Sequence, residues 1–234
     1  MHIVTNVKSA LKQCAAVILL CLCLPAALHA TSVLQVDIDE LLSGAGVIFE
    51  ADVIASEARW NEDNTSISTW VTFAVVDVLK GALPADTITQ SFAGGTVGET
   101  TLQVSGMVYP EVGERGIYFI ENPDRQQVNP ILGWGQGHFK VARDAQGSER
   151  VLTENELPVQ AIEQPDPADK SGKRAQYDAA LPLSEGAAQG LRVGKSQDAR
   201  DTAMDKQDFK RALRTRLSLI QAEREAGGQA DTRQ

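Results

Sequence analysis

Residues 69–81 read TWVTFAVVDVLKG, an almost unbroken run of β-branched and aromatic side chains up to Asp77. In an extended chain the even-numbered residues from Trp70 to Val78 lie on one face, and the odd-numbered residues from Val71 to Leu79 lie on the other. Both faces are largely apolar, which is typical of a long central strand in a closed or doubly covered sheet. Valine and threonine form strands more readily than helices, so the run favours a strand over a buried helix.

The first thirty residues have the layout of a secretory signal peptide. Lys8 and Lys12 supply positive charge, residues 15–24 (AAVILLCLCL) form a short apolar core, and small residues end at Ala30. The apolar run is short for a membrane span, so we expect cleavage near Ala30. Cleavage after Ala27 and an uncleaved anchor are the alternatives. The sequence therefore predicts a secreted or periplasmic protein with no membrane insertion after signal cleavage.

Removing this segment changes the inventory of reactive groups. His138 becomes the only histidine, and all three cysteines are lost, namely Cys14, Cys21 and Cys23. A mature chain without cysteine has no disulfide, no thiol catalysis and no cysteine metal site. With one imidazole, a histidine-based zinc site is also excluded. We therefore predict neither a metal nor a cofactor.

The charge balance bears on the choice of partner. The chain has 22 lysines and arginines against 31 aspartates and glutamates. Without the two lysines of the predicted signal, 20 basic residues face 31 acidic residues, a net charge of −11. An acidic protein has no general attraction for nucleic acid or anionic lipid, so we expect neither as a partner.

Alternating apolar residues and turn signals predict a β domain over residues 31–153. Asp37 or Asp39 caps a short helix, and a strand with one buried face follows over residues 46–60. The NEDN sequence at 61–64 turns this strand into the central one. Further short strands are predicted at 86–92, 100–104, 115–121, 128–132 and 137–142. Short strands at this spacing indicate an antiparallel barrel or sandwich.

The composition changes after the β domain. Residues 154–201 combine prolines, charges and small side chains, and they predict a mostly disordered linker. Residues 202–226 recover a helical period and predict a C-terminal amphipathic helix, capped by Asp205 and stopped by the glycines at 227–228, with a tail over 227–234.

Three short phrases occur in a distinctive order: VLKG at 78–81, GGTVG at 94–98, and GER at 113–115 before an apolar strand. Together they resemble the netrin-like, tissue-inhibitor-of-metalloproteinase-like branch of the OB-type barrels. Over residues 45–142 the chain is more similar still to small uncharacterised bacterial secreted proteins with the phrase VTFxVxxVLKG. The resemblance implies a mainly β fold, an antiparallel OB-like barrel of five or six strands with flanking helices, which binds other macromolecules.

That family's inhibitors insert an N-terminal cysteine into the zinc site of a protease. Cleavage after Ala30 leaves Thr31-Ser32 at the start of this chain. Because the residue that carries the activity is missing, metalloprotease inhibition is not carried over.

Two acidic residues are the strongest candidates for catalysis. Glu50 and Asp52 lie two positions apart on a predicted strand, so they share a face, where a carboxylate pair serves acid–base chemistry. The plainer interpretation is a solvated pair on the outer face. No nucleophile or orienting acid is evident for His138, and the glycines at 94–98 fit a tight turn or bulge better than a phosphate-binding loop.

Aromatic and apolar side chains are candidates for binding. Trp60, Trp70 and Trp134 are the candidates for a ligand-stacking patch, although pairing of the first two across the hairpin would also explain them. The C-terminal helix presents an apolar stripe that either docks on the β domain or binds a partner, consisting of Phe209, Leu213 and Leu217.

Together these observations predict a secreted, non-catalytic β-barrel binding module that acts on a protein or cell-envelope partner. One alternative is a hydrolase or lyase that uses Glu50 and Asp52. The other is a structural envelope protein that associates with itself through an exposed strand edge.

Overall fold

A computed structural model of the chain describes residues 33–163 and 186–231. The predicted signal peptide, its cleavage site at Ala30 and the middle of the predicted linker lie outside the described residues. Within them, the fold is mainly β, with a six-stranded antiparallel sheet and helices at its N-terminal and C-terminal sides. The predicted fold class is confirmed at this level.

The main sheet has the strand order β3-β2-β1-β6-β7-β8. Its strands are β1 (Val47–Trp60), β2 (Ile67–Lys80), β3 (Thr87–Ala93), β6 (Arg115–Ile120), β7 (His138–Arg143) and β8 (Glu149–Thr153). Two small antiparallel pairs accompany it: β4 (Gly95–Val97) with β5 (Thr100–Leu102), and β9 (Val159–Ile162) with β10 (Leu191–Val193). Helix α1 spans Ile38–Gly44, helix α2 spans Lys206–Asp231, and 3-10 helices span Trp134–Gly137 and Gln197–Thr202.

Helix α1 forms as predicted and is tied to the sheet at its end. The Asp37 carboxylate accepts a hydrogen bond from the Asp39 amide at 2.7 Å, which satisfies one free N–H of the first turn. At the other end Lys80 Nζ donates to backbone carbonyls that the helix leaves unpaired, those of Leu42, Ser43 and Ala45. Helix α1 is thereby fixed to the end of strand β2.

The first hairpin also forms as predicted, but three bulges change which side chains share a face. The Asn61 side chain accepts hydrogen bonds from the amides of the turn that joins β1 to β2. Ile54 is an extra residue in β1, and Val76 and Leu79 are extra residues in β2. A bulge reverses the alternation of the side chains beyond it. Asp77 therefore lies beside Glu50, its partner in the ladder.

The residues that suggested the central strand do form a strand, but not the most central one. Alternate residues of β2 are buried from Ile67 to Phe73, whereas Val76 and Val78 are exposed. Strand β1 lies between β2 and β6 and is buried on both faces from Val47 to Ala51. The prediction of a doubly covered strand over residues 69–81 is therefore wrong in this respect, and β1 has that role.

The sheet buries an apolar cluster on each face. On one face, α1 and α2 cover residues that include Ile48, Ile117, Phe119, Phe139 and Val151. On the other face the buried cluster includes Phe49, Phe73, Phe92 and Tyr118, and Met107 and Tyr109 pack against it. The Phe73 and Tyr118 ring centroids are 4.7 Å apart, within the range of favourable aromatic pairs.

Strands β3 and β8 stand at the two ends of the strand order, and an irregular segment links β3 to the residues after β6. The Ala93 amide donates to the Val128 carbonyl at 2.8 Å, and Gln90 Nε2 donates to the Pro123 carbonyl at 3.0 Å. The predicted strand over 128–132 is wrong, because only an isolated bridge joins Ile131 to Ile120. Pro130 has no N–H to donate to a ladder.

The predicted linker is wrong where β9, β10 and a 3-10 helix form within it. Val159 and Ala188 are buried, and the Gln189 amide donates to the Val36 carbonyl at 2.8 Å, which fixes this segment beside α1. Helix α2 has the predicted Asp205 cap, whose carboxylate accepts from the Gln207 amide. The helix begins at Lys206 rather than at 202, and it continues through the glycines at 227–228 to Asp231.

Candidate functional site

Glu50, one of the two candidate catalytic acids, is fully buried under helix α2. Its carboxylate accepts hydrogen bonds from Lys206 Nζ at 2.8 Å and from Lys210 Nζ at 2.5 Å. Glu149 pairs with the first lysine and Asp77 with the second, each at 2.5 Å. The interpretation of Glu50 as a solvated charge is therefore wrong. The carboxylate is the centre of an ion-pair cluster that joins α2 to β1, β2 and β8.

Asp52, the second candidate acid, is bound by Arg115. The guanidinium donates from Nε and Nη2 to the two carboxylate oxygens at 2.7 and 2.6 Å, a bidentate pair. These hydrogen bonds lower the pKa of the Asp52 carboxyl. Glu50 and Asp52 are thus each occupied by cations of their own, and the geometry gives them no acid–base partnership.

The predicted apolar stripe of the C-terminal helix belongs to the core. Phe209, Leu213 and Leu217 are buried in the cluster that α2 shares with the sheet. The Phe209 and Phe139 ring centroids are 5.1 Å apart. The stripe therefore docks on the β domain, as one of the two interpretations predicted. These side chains are buried and are not exposed to a partner.

The three tryptophans do not form one patch. Trp60 pairs with Ile67 in the ladder, whereas Trp70 pairs with Glu57, so the two indoles lie on opposite faces of the hairpin. The predicted cross-strand pairing of Trp60 with Trp70 is therefore wrong, because Trp70 lies three residues beyond Ile67, the ladder partner of Trp60. Trp134 opens a 3-10 helix with a φ of 58° and is half-buried there.

A cluster that the sequence did not suggest lies on the inner face of β6 and β7. Glu114 Oε1 accepts two hydrogen bonds, from Tyr118 Oη at 2.8 Å and from His138 Nε2 at 2.6 Å. The Tyr118 and His138 residues are partners across the ladder, and their rings stack with centroids 5.0 Å apart. His138, for which the sequence offered no catalytic partner, is fully buried.

Gly116 makes this cluster possible. Glu114, Gly116 and Tyr118 share one face because residues at i, i+2 and i+4 of a strand do so. A Cβ at Gly116 would lie 2.6 Å from the Tyr118 ring carbon Cζ and from its hydroxyl. The missing side chain lets the Tyr118 ring lie back along the strand and reach Glu114.

The protonation of the cluster follows from its contacts. Burial acts to raise the pKa of Glu114, but the hydrogen bonds from His138 and Tyr118 and the charge of Lys140 outweigh it, and the pKa is lowered. Burial and the neighbouring Glu114 charge raise the pKa of Tyr118, which stays a phenol. Glu114 is therefore an ionised acceptor. Its donor is His138 Nε2–H, and His138 Nδ1 has no hydrogen-bond partner among the described residues.

Glu114 also forms one wall of a surface pocket of about 350 Å³. Lys140 Nζ lies 3.9 Å from Glu114 Oε2 and 4.0 Å from Glu156 Oε1. Arg200 Nη2 pairs with Glu156 Oε2 at 2.6 Å on the same side. The remaining lining is Glu111, Val112, Gly113, Arg115, Val141, Ala142 and Leu152. The pocket thus offers charges of both signs beside aliphatic side chains.

Neither a metal centre nor a spanning helix is found in residues 33–163 and 186–231. No three histidine, cysteine or acidic side chains in these ranges converge as metal ligands. None of the helices there has the length and apolar character needed to cross a bilayer.

Sequence reasoning missed this pocket because its residues come from four separate segments. The sequence did contain part of the pattern that defines the pocket. The spacings Glu-x-Gly-x-Tyr at 114–118 and His-x-Lys at 138–140 place five residues on one face of two neighbouring strands. Arg200 and Glu156 carried no such signal, since both lie in the segment predicted to be a disordered linker. Comparison with known proteins adds no assignment, because no family model, no curated protein and no solved structure matches the chain.

Proposed function

We propose that this chain is an exported, non-catalytic binding module that engages a protein or cell-envelope partner through the pocket between Glu114 and Arg200. The observation that carries the proposal is the pocket itself. Its Lys140 ammonium stands 3.9 and 4.0 Å from two carboxylates, beyond direct hydrogen-bond distance, on a surface that also includes Val112, which is 61% exposed.

The occupied carboxylates favour binding over hydrolysis. A general acid or base needs a free oxygen within hydrogen-bond reach of the substrate. Both oxygens of Glu50 and both oxygens of Asp52 accept close hydrogen bonds from lysine or arginine. A hydrolase or lyase built on these two residues would have to break those ion pairs first.

The proposed scaffold is an OB-like barrel of the netrin-like type. Two observations support this scaffold: one face of the sheet carries an aromatic cluster, and hydrogen bonds link β3 to Val128 and Pro123. The proposed location, secreted or periplasmic, rests on the first thirty residues, with their two lysines and short apolar core.

Site-specific photo-crosslinking in the producing cell tests the proposal. The full chain carries a diazirine amino acid at Val112, on the pocket lining, or at Val128, a control residue that is also exposed but does not line the pocket. We expect a discrete adduct from Val112 and none of the same mass from Val128. The double variant Lys140→Glu with Arg200→Glu should abolish the adduct.

Two results would contradict the proposal. One is the absence of a specific adduct from Val112 while the chain is folded and exported. The other is an adduct that survives the double charge reversal. An adduct between two copies of the chain would instead favour the self-associating structural alternative.

A further inference from the structure

The spacing of the charges around Lys140 is the starting point. Lys140 Nζ lies 3.9 Å from Glu114 Oε2 and 4.0 Å from Glu156 Oε1. Each gap is too long for a hydrogen bond and suits one bridging oxygen, which accepts from the ammonium and donates to the carboxylate. The other oxygens of the two carboxylates are already bound, one by His138 and Tyr118 and one by Arg200.

We propose that this pocket binds a saccharide through two neighbouring hydroxyl groups, one placed in each gap beside Lys140. The inference rests on the proposed binding function and names the ligand for the same site. A hydroxyl is both a donor and an acceptor, so it satisfies an ammonium and a carboxylate together. Hydrogen bonds to ionised groups are stronger than those between neutral groups.

The charge balance of the pocket favours a neutral ligand. Its lining carries three carboxylates, on Glu111, Glu114 and Glu156, and three cations, on Arg115, Lys140 and Arg200. A phosphate or an ammonium group would unbalance this set and lie near a like charge. Hydroxyl groups leave the balance unchanged, and the aliphatic lining offers apolar contact to the C–H groups of a sugar ring.

The strand arrangement disfavours a peptide that binds by adding to the sheet. The pocket lies against β6, β7 and, through Leu152, β8. Strands β6 and β7 are each paired on both sides. Strand β8 ends the sheet, but the amides on its outer edge are already bonded, since Val151 donates to the Met204 carbonyl and Thr153 to the Leu157 carbonyl. No backbone edge is therefore presented at this position, and recognition depends on side chains. A peptide ligand becomes one of the outcomes that the experiment separates.

Saturation-transfer NMR with the purified full chain tests the saccharide assignment. The probe is a mixture of oligosaccharides released from the envelope of the producing cell. A matched sample is treated with periodate and then borohydride, which cleaves the carbon–carbon bond between neighbouring hydroxyls and leaves alcohols. We expect transfer to the intact sugars and its loss in the treated sample.

Variants connect the signal to the pocket. Lys140→Met should weaken binding about tenfold or more, because a hydrogen bond to a charged group is lost. Glu156→Gln, at a half-exposed position where folding is not at risk, should weaken it several-fold. Lys195→Met is the control, since Lys195 is exposed and does not line the pocket.

Each outcome decides between the two proposals. Absence of transfer from any oligosaccharide, equal transfer from the treated sample, or binding that Lys140→Met leaves intact would overturn the saccharide assignment. If the Val112 adduct then still forms with a protein and depends on Lys140 and Arg200, the binding module stands with a peptide ligand. If that adduct is also absent, both proposals fail.

Discussion

Glu50 and Glu114 are two carboxylates in the same sheet that meet lysines in different ways. Both oxygens of Glu50 accept directly from ammonium groups, at 2.8 and 2.5 Å, and Glu50, Lys206 and Lys210 are all buried. Glu114 has one oxygen held by buried donors, while the other faces Lys140 across 3.9 Å at the wall of a pocket. The hydrogen bonds of the Glu50 carboxylate are therefore completed within the protein. Glu114 Oε2 remains available as an acceptor at the pocket wall.

The difference separates a structural role from a binding role. Buried ions are tolerated only when hydrogen bonds replace the water that they lose, and the Glu50 cluster meets this condition within the chain. The side chains of Glu114 and Lys140 are 12% and 22% exposed, so water or a ligand completes their shells. Variants at the first site should change stability, whereas variants at the second should change binding.

Removal of the Glu50 charge should have the largest effect. Glu50→Gln leaves two lysines buried with one partner fewer, and breaking a buried pair in this way costs about 3–5 kcal/mol. We expect the free energy of unfolding in urea to fall by that amount. Glu57→Gln breaks an ion pair of the same strand that is solvent-exposed, with Arg59, and it should leave the unfolding midpoint unchanged.

A variant that removes all three buried charges tests whether the loss in Glu50→Gln comes from charge or from packing. Glu50→Leu combined with Lys206→Met and Lys210→Met removes the buried charges together, and such replacements are often neutral. This triple variant should recover most of the stability that Glu50→Gln loses. If the triple variant is the less stable of the two, uncompensated lysine charge does not explain the stability that Glu50→Gln loses.

Truncation of the α2 stripe should have the next largest effect. Leu213→Ala opens a cavity between α2 and the sheet, and such changes cost at least about 2 kcal/mol. Leu219→Ala, on the exposed side of the same helix, is the matched control and should change stability by less than about 0.5 kcal/mol. Equal unfolding midpoints for the two variants in guanidinium would show that the helix is a loosely attached tail.

The fold could be predicted wherever a local rule controls it. The cap at Asp37, the turn at Asn61 and the apolar period at Phe209, Leu213 and Leu217 depend on neighbours within a few residues, and each was correct. Strands β9 and β10 were missed because a few isolated apolar residues order them through contacts that are distant in sequence. The bulges at Ile54, Val76 and Leu79 leave no local trace, although each reverses the faces of a strand.

The candidate site was less predictable for the same reason. Charge signs are visible in a sequence, but pairing is not, and Glu50 meets Lys206 and Lys210 across separations of 156 and 160 residues. An exposed glutamate and a buried glutamate cannot be told apart in the sequence. Only the Gly116 position between Glu114 and Tyr118 hints at a side chain lying back along its strand.

The hydrogen bond from Tyr118 to Glu114 should have an intermediate effect that depends on pH. Glu114 has a folded pKa below its ordinary value of 4.5, so its contribution to stability is complete above pH 4.5 and is lost as pH falls through the lower folded pKa. Tyr118→Phe should cost about 1.5 kcal/mol at pH 7, where a charged acceptor loses a donor, and less near pH 3.

Urea unfolding of both proteins from pH 7 to pH 3 measures this difference. Glu154 provides a control of opposite sign, since burial raises its pKa, so its contribution opposes folding at neutral pH and diminishes on acidification. Glu154→Gln should therefore stabilise the protein at pH 7. A Tyr118→Phe cost that is independent of pH would mean that Glu114 is not the ionised acceptor.

The pocket pair of Glu156 with Arg200 should have the smallest effect on stability. Both side chains are about two-fifths exposed, at 41% and 43%, and exposed pairs contribute less than about 1 kcal/mol. We therefore expect Glu156→Gln to unfold within that margin of the parent in urea, while the Val112 crosslink weakens, because Glu156 holds both Arg200 and one side of the Lys140 gap. A loss of stability as large as that of Glu50→Gln would mean that the Glu156–Arg200 pair stabilises the fold, as the Glu50 cluster does. The distinction between a cluster that the fold completes and a pocket that a ligand completes would then no longer hold.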